Sequence, residues 1–153
     1  MPVSTPPLIP AFTALAVPSD PISSREIVYG ESWKFDFNTG EFVLTPTGQV
    51  ATTQGIDTLL QWVQKALVTK RFAYPIYPKF YGSDIESLIG VVVAQEAMAT
   101  EVLRMIRETL LIDKRIKDIS NMSATIQGDQ LYATFTIVSY NQDIYTLTQG
   151  VTL

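Results

Sequence analysis

The stretch from Ala66 to Gly90 limits the possible folds of this chain more than any other. Phe72, Tyr74, Tyr77, Phe80 and Tyr81 crowd around Pro75 and Pro78, and Gly82 closes the aromatic run. The two prolines fix φ and bias Tyr74 and Tyr77 toward extended backbone, so a helix cannot run through the segment. Connecting segments are ordinarily polar and solvated, so this aromatic load must pack against the domain or against a partner. Tyr74, Tyr77 and Tyr81 are expected to pin the loop between two flanking helices and leave their hydroxyl ends to a neighbouring subunit.

Both flanks read as helix. In Ile56–Val68, Ile56, Leu59, Leu60, Trp62, Val63, Ala66 and Leu67 share one face when projected at about 100° per residue, opposite Asp57, Thr58, Gln61, Gln64 and Lys65. From Val91 to Leu111 a broad stripe of Val91, Met98, Ala99, Val102, Leu103, Met105, Ile106 and Leu110 predicts the longest helix, opposite Glu96, Thr100, Glu101, Arg104, Arg107 and Glu108. Ser83 and Glu86 have the spacing of a capping box, which predicts a short helix starting there and ending at Gly90.

Strands occupy the rest. Trp33, Phe35 and Phe37 alternate with Lys34 and Asp36, Asn38–Glu41 supplies a turn, and Phe42–Leu44 returns as the second arm of a hairpin. Residues 119–126 and 131–139 flank the turn Gln127–Gln130, and a second turn at Tyr140–Asp143 leads into a last strand, 144–153. That strand carries Tyr145, Leu147, Val151 and Leu153 on alternate positions and is expected to be an edge, hence a docking edge. The order predicts an α+β fold: an antiparallel sheet, made of the N-terminal hairpin and the C-terminal meander, packed on two main helices. Residues 1–24, holding six of the nine prolines together with Leu8, Ile9 and Phe12, are expected to form a separate extended arm, either a disordered tail or a segment that orders along a neighbouring subunit on assembly. Residues 25–153 form the single domain.

Composition narrows the chemistry. The chain has no histidine and no cysteine, which removes Ser-His-Asp relays, thiolate nucleophiles and Cys/His zinc sites. A formal charge of −4, with Arg104, Arg107, Lys114, Arg115 and Lys117 interleaved with acids, describes a solvated face rather than a nucleic-acid stripe. No run approaches the ~20 apolar residues of a membrane span, so a protein that stays in the cytoplasm, or joins something assembled there, is expected. Asp84 and Glu86 are the best-placed carboxylate pair, but residues two apart on a helix do not face each other. Neither catalytic residues, nor a metal site, nor a cofactor site is assigned.

The residues Gly30–Asp36, Leu67–Tyr77, Tyr81-Gly82 and Ile85–Gly90 resemble those of sheath-initiator proteins of contractile phage tails, which are baseplate wedge components with relatives in other contractile injection systems. The likeness covers residues 29 to 153. It implies a lysozyme-like α+β domain without catalytic function in the virion tail baseplate, assembled in the host cytoplasm in multiple copies around the tail axis. It implies tail sheath, baseplate wedge and tail tube or tube-initiator proteins as partners, and neither nucleic acid nor membrane. It further implies that the domain templates the first sheath ring by sharing strands with sheath subunits. Where the family carries a glutamate-containing element before its arginine, this chain has Lys70-Arg71-Phe72-Ala73, so only a structural ion pair carries over to Arg71. The contact residues expected on this reading are Phe12, Tyr74, Tyr77, Tyr81, Tyr145, Leu147, Val151 and Leu153. Arg71, Pro75, Pro78, Gly82, Ser83 and Glu86 are expected to be structural. The rival readings are a small muralytic hydrolase of the tail, using Asp84 and Glu86, and a peptide-binding adaptor unrelated to tails.

Overall fold

The computed structural model describes residues 27–91 and 94–152; the expected arm, with Phe12, and Leu153 lie outside the described residues. Strand β1 (Glu31–Trp33) is followed by β2 (Phe35–Asp36), β3 (Glu41–Phe42) and β4 (Thr52–Gln54). Helices α1 (Ile56–Val68) and α2 (Gln95–Leu110) come next, separated by the aromatic loop and a one-turn 3-10 helix (Ile85–Leu88). The chain then forms β5 (Ile116–Gln127), β6 (Gln130–Ser139) and β7 (Ile144–Thr152). The α+β class is as expected, but hairpin and meander are separate sheets. β2 pairs with β3, β1 pairs with β4, and β5-β6-β7 form their own antiparallel sheet.

The N-terminal hairpin continues further than its turn residues suggest. After β3, Leu44 bridges Val50 around a turn closed by Gly48 N–H to Thr45 O, and β4 returns onto β1. Gln61 of α1 ties the hairpin down, donating to Trp33 O at 2.7 Å and accepting the Phe35 N–H at 2.9 Å.

The core lies between the helices and the meander. Leu59, Val63 and Ala66 of α1 and Met98, Val102, Ile106 and Leu110 of α2 meet Leu131, Ala133, Phe135 and Ile137 of β6. The inward residues of α1 recur at spacings of four and three, those of α2 at every fourth position and those of β6 at every second, the periods of helix and strand. At about 1.5–3 kcal/mol for each large apolar side chain withdrawn from water, this cluster dominates the stability.

Two helix boundaries differ from expectation. α2 begins at Gln95 rather than Val91, because Gly90 takes φ +78° and the β-branched run Val91-Val92-Val93 is a poor helix start. The capping box does not form. Ser83 is held in a parallel bridge with Lys70, so the 3-10 turn is capped by Asp84, one residue later. Glu86 then stands one place too early to reach back, and it pairs with Lys70 at 3.6 Å, while the Ser83 hydroxyl accepts the Ile85 N–H at 3.1 Å. Among the described residues, no helix is long and apolar enough to cross a membrane.

Candidate functional site

The aromatic loop is a closed excursion whose two ends are fastened together. Ser83 N–H donates to Thr69 O at 2.8 Å and Arg71 N–H donates to Ser83 O at 3.0 Å. Arg71 adds an ion pair to Asp84 at 2.8 Å and a hydrogen bond from Nε to Gly82 O at 3.2 Å. Gly82 is required here: its φ is +98°, and a Cβ would stand 2.8 Å from Thr69 O. Pro75 occupies the second position of a turn closed by Tyr77 N–H to Tyr74 O, and Pro78 opens a second turn closed by Tyr81 N–H to Pro78 O.

Inside the loop the aromatics stack as a ladder. Tyr81 meets Trp62 of α1 at 6.0 Å between ring centroids, Tyr77 meets Tyr81 at 4.7 Å, and Tyr74 meets Tyr77 at 6.2 Å. Cations flank the ladder: Lys65 Nζ lies 5.1 Å from the Tyr77 ring and Arg115 lies 5.5 Å from Trp62. Burial, and secondarily the neighbouring Tyr77, push the Tyr81 phenol up to about 12. The ladder therefore meets α1 through Tyr81 on Trp62 and Tyr77 on Lys65, and Tyr81 also packs against the core cluster shared by both helices. α2 touches the loop near its base, where the Thr109 hydroxyl donates to Gly82 O at 3.4 Å. Tyr81 and Tyr77 are partly buried and Tyr74 is exposed. Outward, the loop shows Phe72 at 72%, Ile76 at 85% and Phe80 at 58% of full exposure, and Phe72 adopts φ +63°. An exposed aromatic in a conformation costing about 1–2 kcal/mol is not selected by the stability of the isolated domain.

The second candidate surface is the meander edge. Both outer strands of the β5-β6-β7 sheet lack a further partner among the described residues. They are not equivalent. β5 carries Lys117 and Asp118, two register irregularities and Asn121 at φ +48°, the usual means of blunting an edge. β7 reads Ile144-Tyr-Thr-Leu-Thr-Gln-Gly-Val-Thr152, with no charge and no proline, and pairs with β6 in unbroken register from Ile144↔Val138 to Thr152↔Gln130.

The turn sets which backbone groups of β7 are free. Ser139 N–H donates to Asp143 O at 3.0 Å, so that pair is hydrogen-bonded. Strict alternation along an antiparallel ladder then aims the N–H and C=O of Ile144, Thr146, Thr148, Gly150 and Thr152 away from β6. The hydroxyl contacts Thr136–Thr146 and Thr134–Thr148, both 3.0 Å, fit this phase, because non-hydrogen-bonded pairs bring side chains closest. Of the residues expected on this strand, Tyr145 is exposed, Leu147 is half-buried against the core, and Val151 pairs with Leu131. Beside the edge, a cleft of about 500 Å³ separates Thr148, Gln149 and Gly150 from the β2–β3 hairpin and α1.

Two arrangements escaped the sequence reading. Ile27 is held at both backbone groups by the Asn141 side chain, at 3.0 and 2.8 Å, and the Tyr29 hydroxyl donates to Asp143. Burial, and then Asp143, push the Tyr29 phenol up. These partners are more than a hundred residues apart and no local signal joins them. Trp33, Phe42 and Leu44 of the hairpin are also exposed.

The carboxylate pair does not make an acid–base site. Asp84 serves Arg71, Glu86 serves Lys70, and both sit at the exposed foot of the loop. A glycosidase acid would instead stand in an apolar pocket facing its partner. Among the described residues, no three acidic side chains gather as metal ligands.

Residues 31–142 match the family of contractile injection system sheath initiators. The phage-like element PBSX protein XkdS of Bacillus subtilis (strain 168) is 28% identical over 117 residues, 76% of this chain and 79% of that protein. A crystal structure of a putative tail lysozyme from Geobacter sulfurreducens superposes with a TM-score of 0.57 at 14% identity, over 74% of this chain and 96% of that one. At that identity the match concerns the fold alone.

Proposed function

The chain belongs to the contractile injection system sheath initiator family, and from that premise we propose that this structural tail component starts the sheath by strand addition at β7. An incoming strand of a sheath subunit would meet the outward N–H and C=O groups of Ile144, Thr146, Thr148 and Gly150 and extend the meander to four strands. Main-chain bonds supply the affinity in this mode, and alternate side chains fix the register. The observation that carries the proposal is the contrast between the edges: β5 is bulged and charged, whereas β7 is regular, uncharged and open. The aromatic loop, on this reading, faces a baseplate wedge protein through Phe72, Ile76 and Phe80.

Thr148→Pro tests the edge more cleanly than removal of the last eight residues, because that deletion strips most of β7 and bares β6. Proline at Thr148 removes an N–H that points away from β6 and leaves the β6–β7 ladder intact. Tails assembled with this variant should contain baseplate and tube but no sheath, whereas Thr148→Val tails should be sheathed. Sheathed tails carrying the proline variant would contradict the proposal.

A further inference from the structure

A second apolar feature borders both surfaces, sharing Phe35 and Phe37 with the cleft beside β7 and Lys65 with the tyrosine ladder. The N-terminal hairpin and α1 enclose a cleft of about 310 Å³ lined by Ser32, Trp33, Phe35, Phe37, Phe42, Gln61 and Lys65. Phe35 stands at its centre, edge-to-face with Phe37 at 5.0 Å and with Phe42 at 5.3 Å. Trp33 remains 59% exposed, and its indole N–H has no hydrogen-bond partner among the described residues. Gln61, bonded to Trp33 O and to Phe35 N–H, holds this frame on the helix. An aromatic trough with a free indole donor and a lysine at its lip has the make-up that binds a polyproline II segment.

The chain itself contains such a segment. Pro18-Ser19-Asp20-Pro21 has the P-x-x-P spacing that places both prolines on one edge of a polyproline II helix, about 9 Å apart at three residues per turn. Asp20 is the one charged side chain in residues 1–24, and its sign is opposite to that of Lys65. Reach agrees as well. Ile27 is a fixed pivot, clamped by Asn141 through both backbone groups. Pro21 precedes that pivot by six residues and Trp33 follows it by six, so each lies within about 20 Å of it along the chain. Chain length therefore permits the two to lie side by side.

We propose that the Trp33–Phe35–Phe42 cleft is the docking site of the chain's own Pro18–Pro21 segment, with the prolines on the rings and Asp20 at Lys65. The docking is intramolecular and latches the arm to the hairpin. Its failure would leave the role of β7 untouched.

The test uses the full-length chain, labelled with nitrogen-15, in which the two tryptophans give two indole N–H signals; Trp33→Phe assigns them. The wild type is compared with Pro18→Ala/Pro21→Ala, whose substitutions lie outside the domain and leave its core intact. The Trp33 indole N–H should exchange with water about ten-fold more slowly in the wild type, equivalent to about 1.4 kcal/mol of docking. Asp20→Lys should remove most of that protection, and dilution should not. Equal exchange in the wild type and the double variant would overturn the proposal. Protection that disappears on dilution would overturn it too, by assigning the cleft to the arm of a second copy.

Discussion

Replacing Gly82 by alanine probes the closure of the aromatic loop at one atom. The residue sits at φ +98°, which costs an L side chain about 1–2 kcal/mol. The new Cβ also stands 2.8 Å from Thr69 O and 3.1 Å from both N and Cα of Arg71, so rigid backbone has to move. Thr69 O is the acceptor for Ser83 N–H, and weakening that bond adds about 1 kcal/mol. The sum is about 3 kcal/mol, or about 6–12 °C in Tm for a chain of this length. Gly128→Ala is the matched control. It shares a positive φ, +62°, but meets nothing within 4 Å, and it should cost only about 1 kcal/mol. Differential scanning calorimetry of the two variants at pH 7 reads the difference directly. Equal Tm values would refute the claim that the Thr69–Ser83 contact clamps the loop.

Other perturbations address the core, the ion pair and the phenol ladder. Phe135→Ala, at a fully buried ring between the helices and the meander, should cost about 3–5 kcal/mol in urea unfolding. Arg71→Met should cost about 1–2 kcal/mol by removing the ion pair to Asp84 and one of the two donors to Gly82 O, and should accelerate tryptic cleavage after Lys79 with the core still folded. Tyr81 has a folded-state pKa raised from 10 to about 12, so the folded state holds its proton longer than the unfolded chain. Its contribution to stability is complete below pH 10 and is lost as pH rises toward 12, with a slope of up to about 1.4 kcal/mol per pH unit. Tyr81→Phe should flatten that part of the curve, and an unchanged slope would point to another group.

The sequence showed those parts of the fold whose signal is local. α1 keeps the boundaries of its apolar stripe, and β6 and β7 follow their turns and alternation, because each signal repeats over several periods. Boundaries decided by competition were harder to read. Ser83 and Glu86 have capping-box spacing, but Ser83 is claimed first by Thr69 and Arg71, a contact across the loop that no local window contains. That β5 is blunted and β7 is not emerged only from the register. The packing of Tyr77 and Tyr81 on Trp62, and the Tyr29–Asp143 contact, depend on how distant elements meet. Composition states that these rings need partners but does not say which ones.

β7 is the edge on which we propose that the sheath begins. The most direct measurement is an electron cryo-microscopy reconstruction of an assembled, extended tail, resolved well enough to trace the backbone around this domain. A strand of a sheath subunit should lie about 4.8 Å from β7, bonded to the outward groups of Thr146 and Thr148. A sheath subunit docked elsewhere, with the β7 edge left to solvent or covered by a baseplate protein, would contradict it.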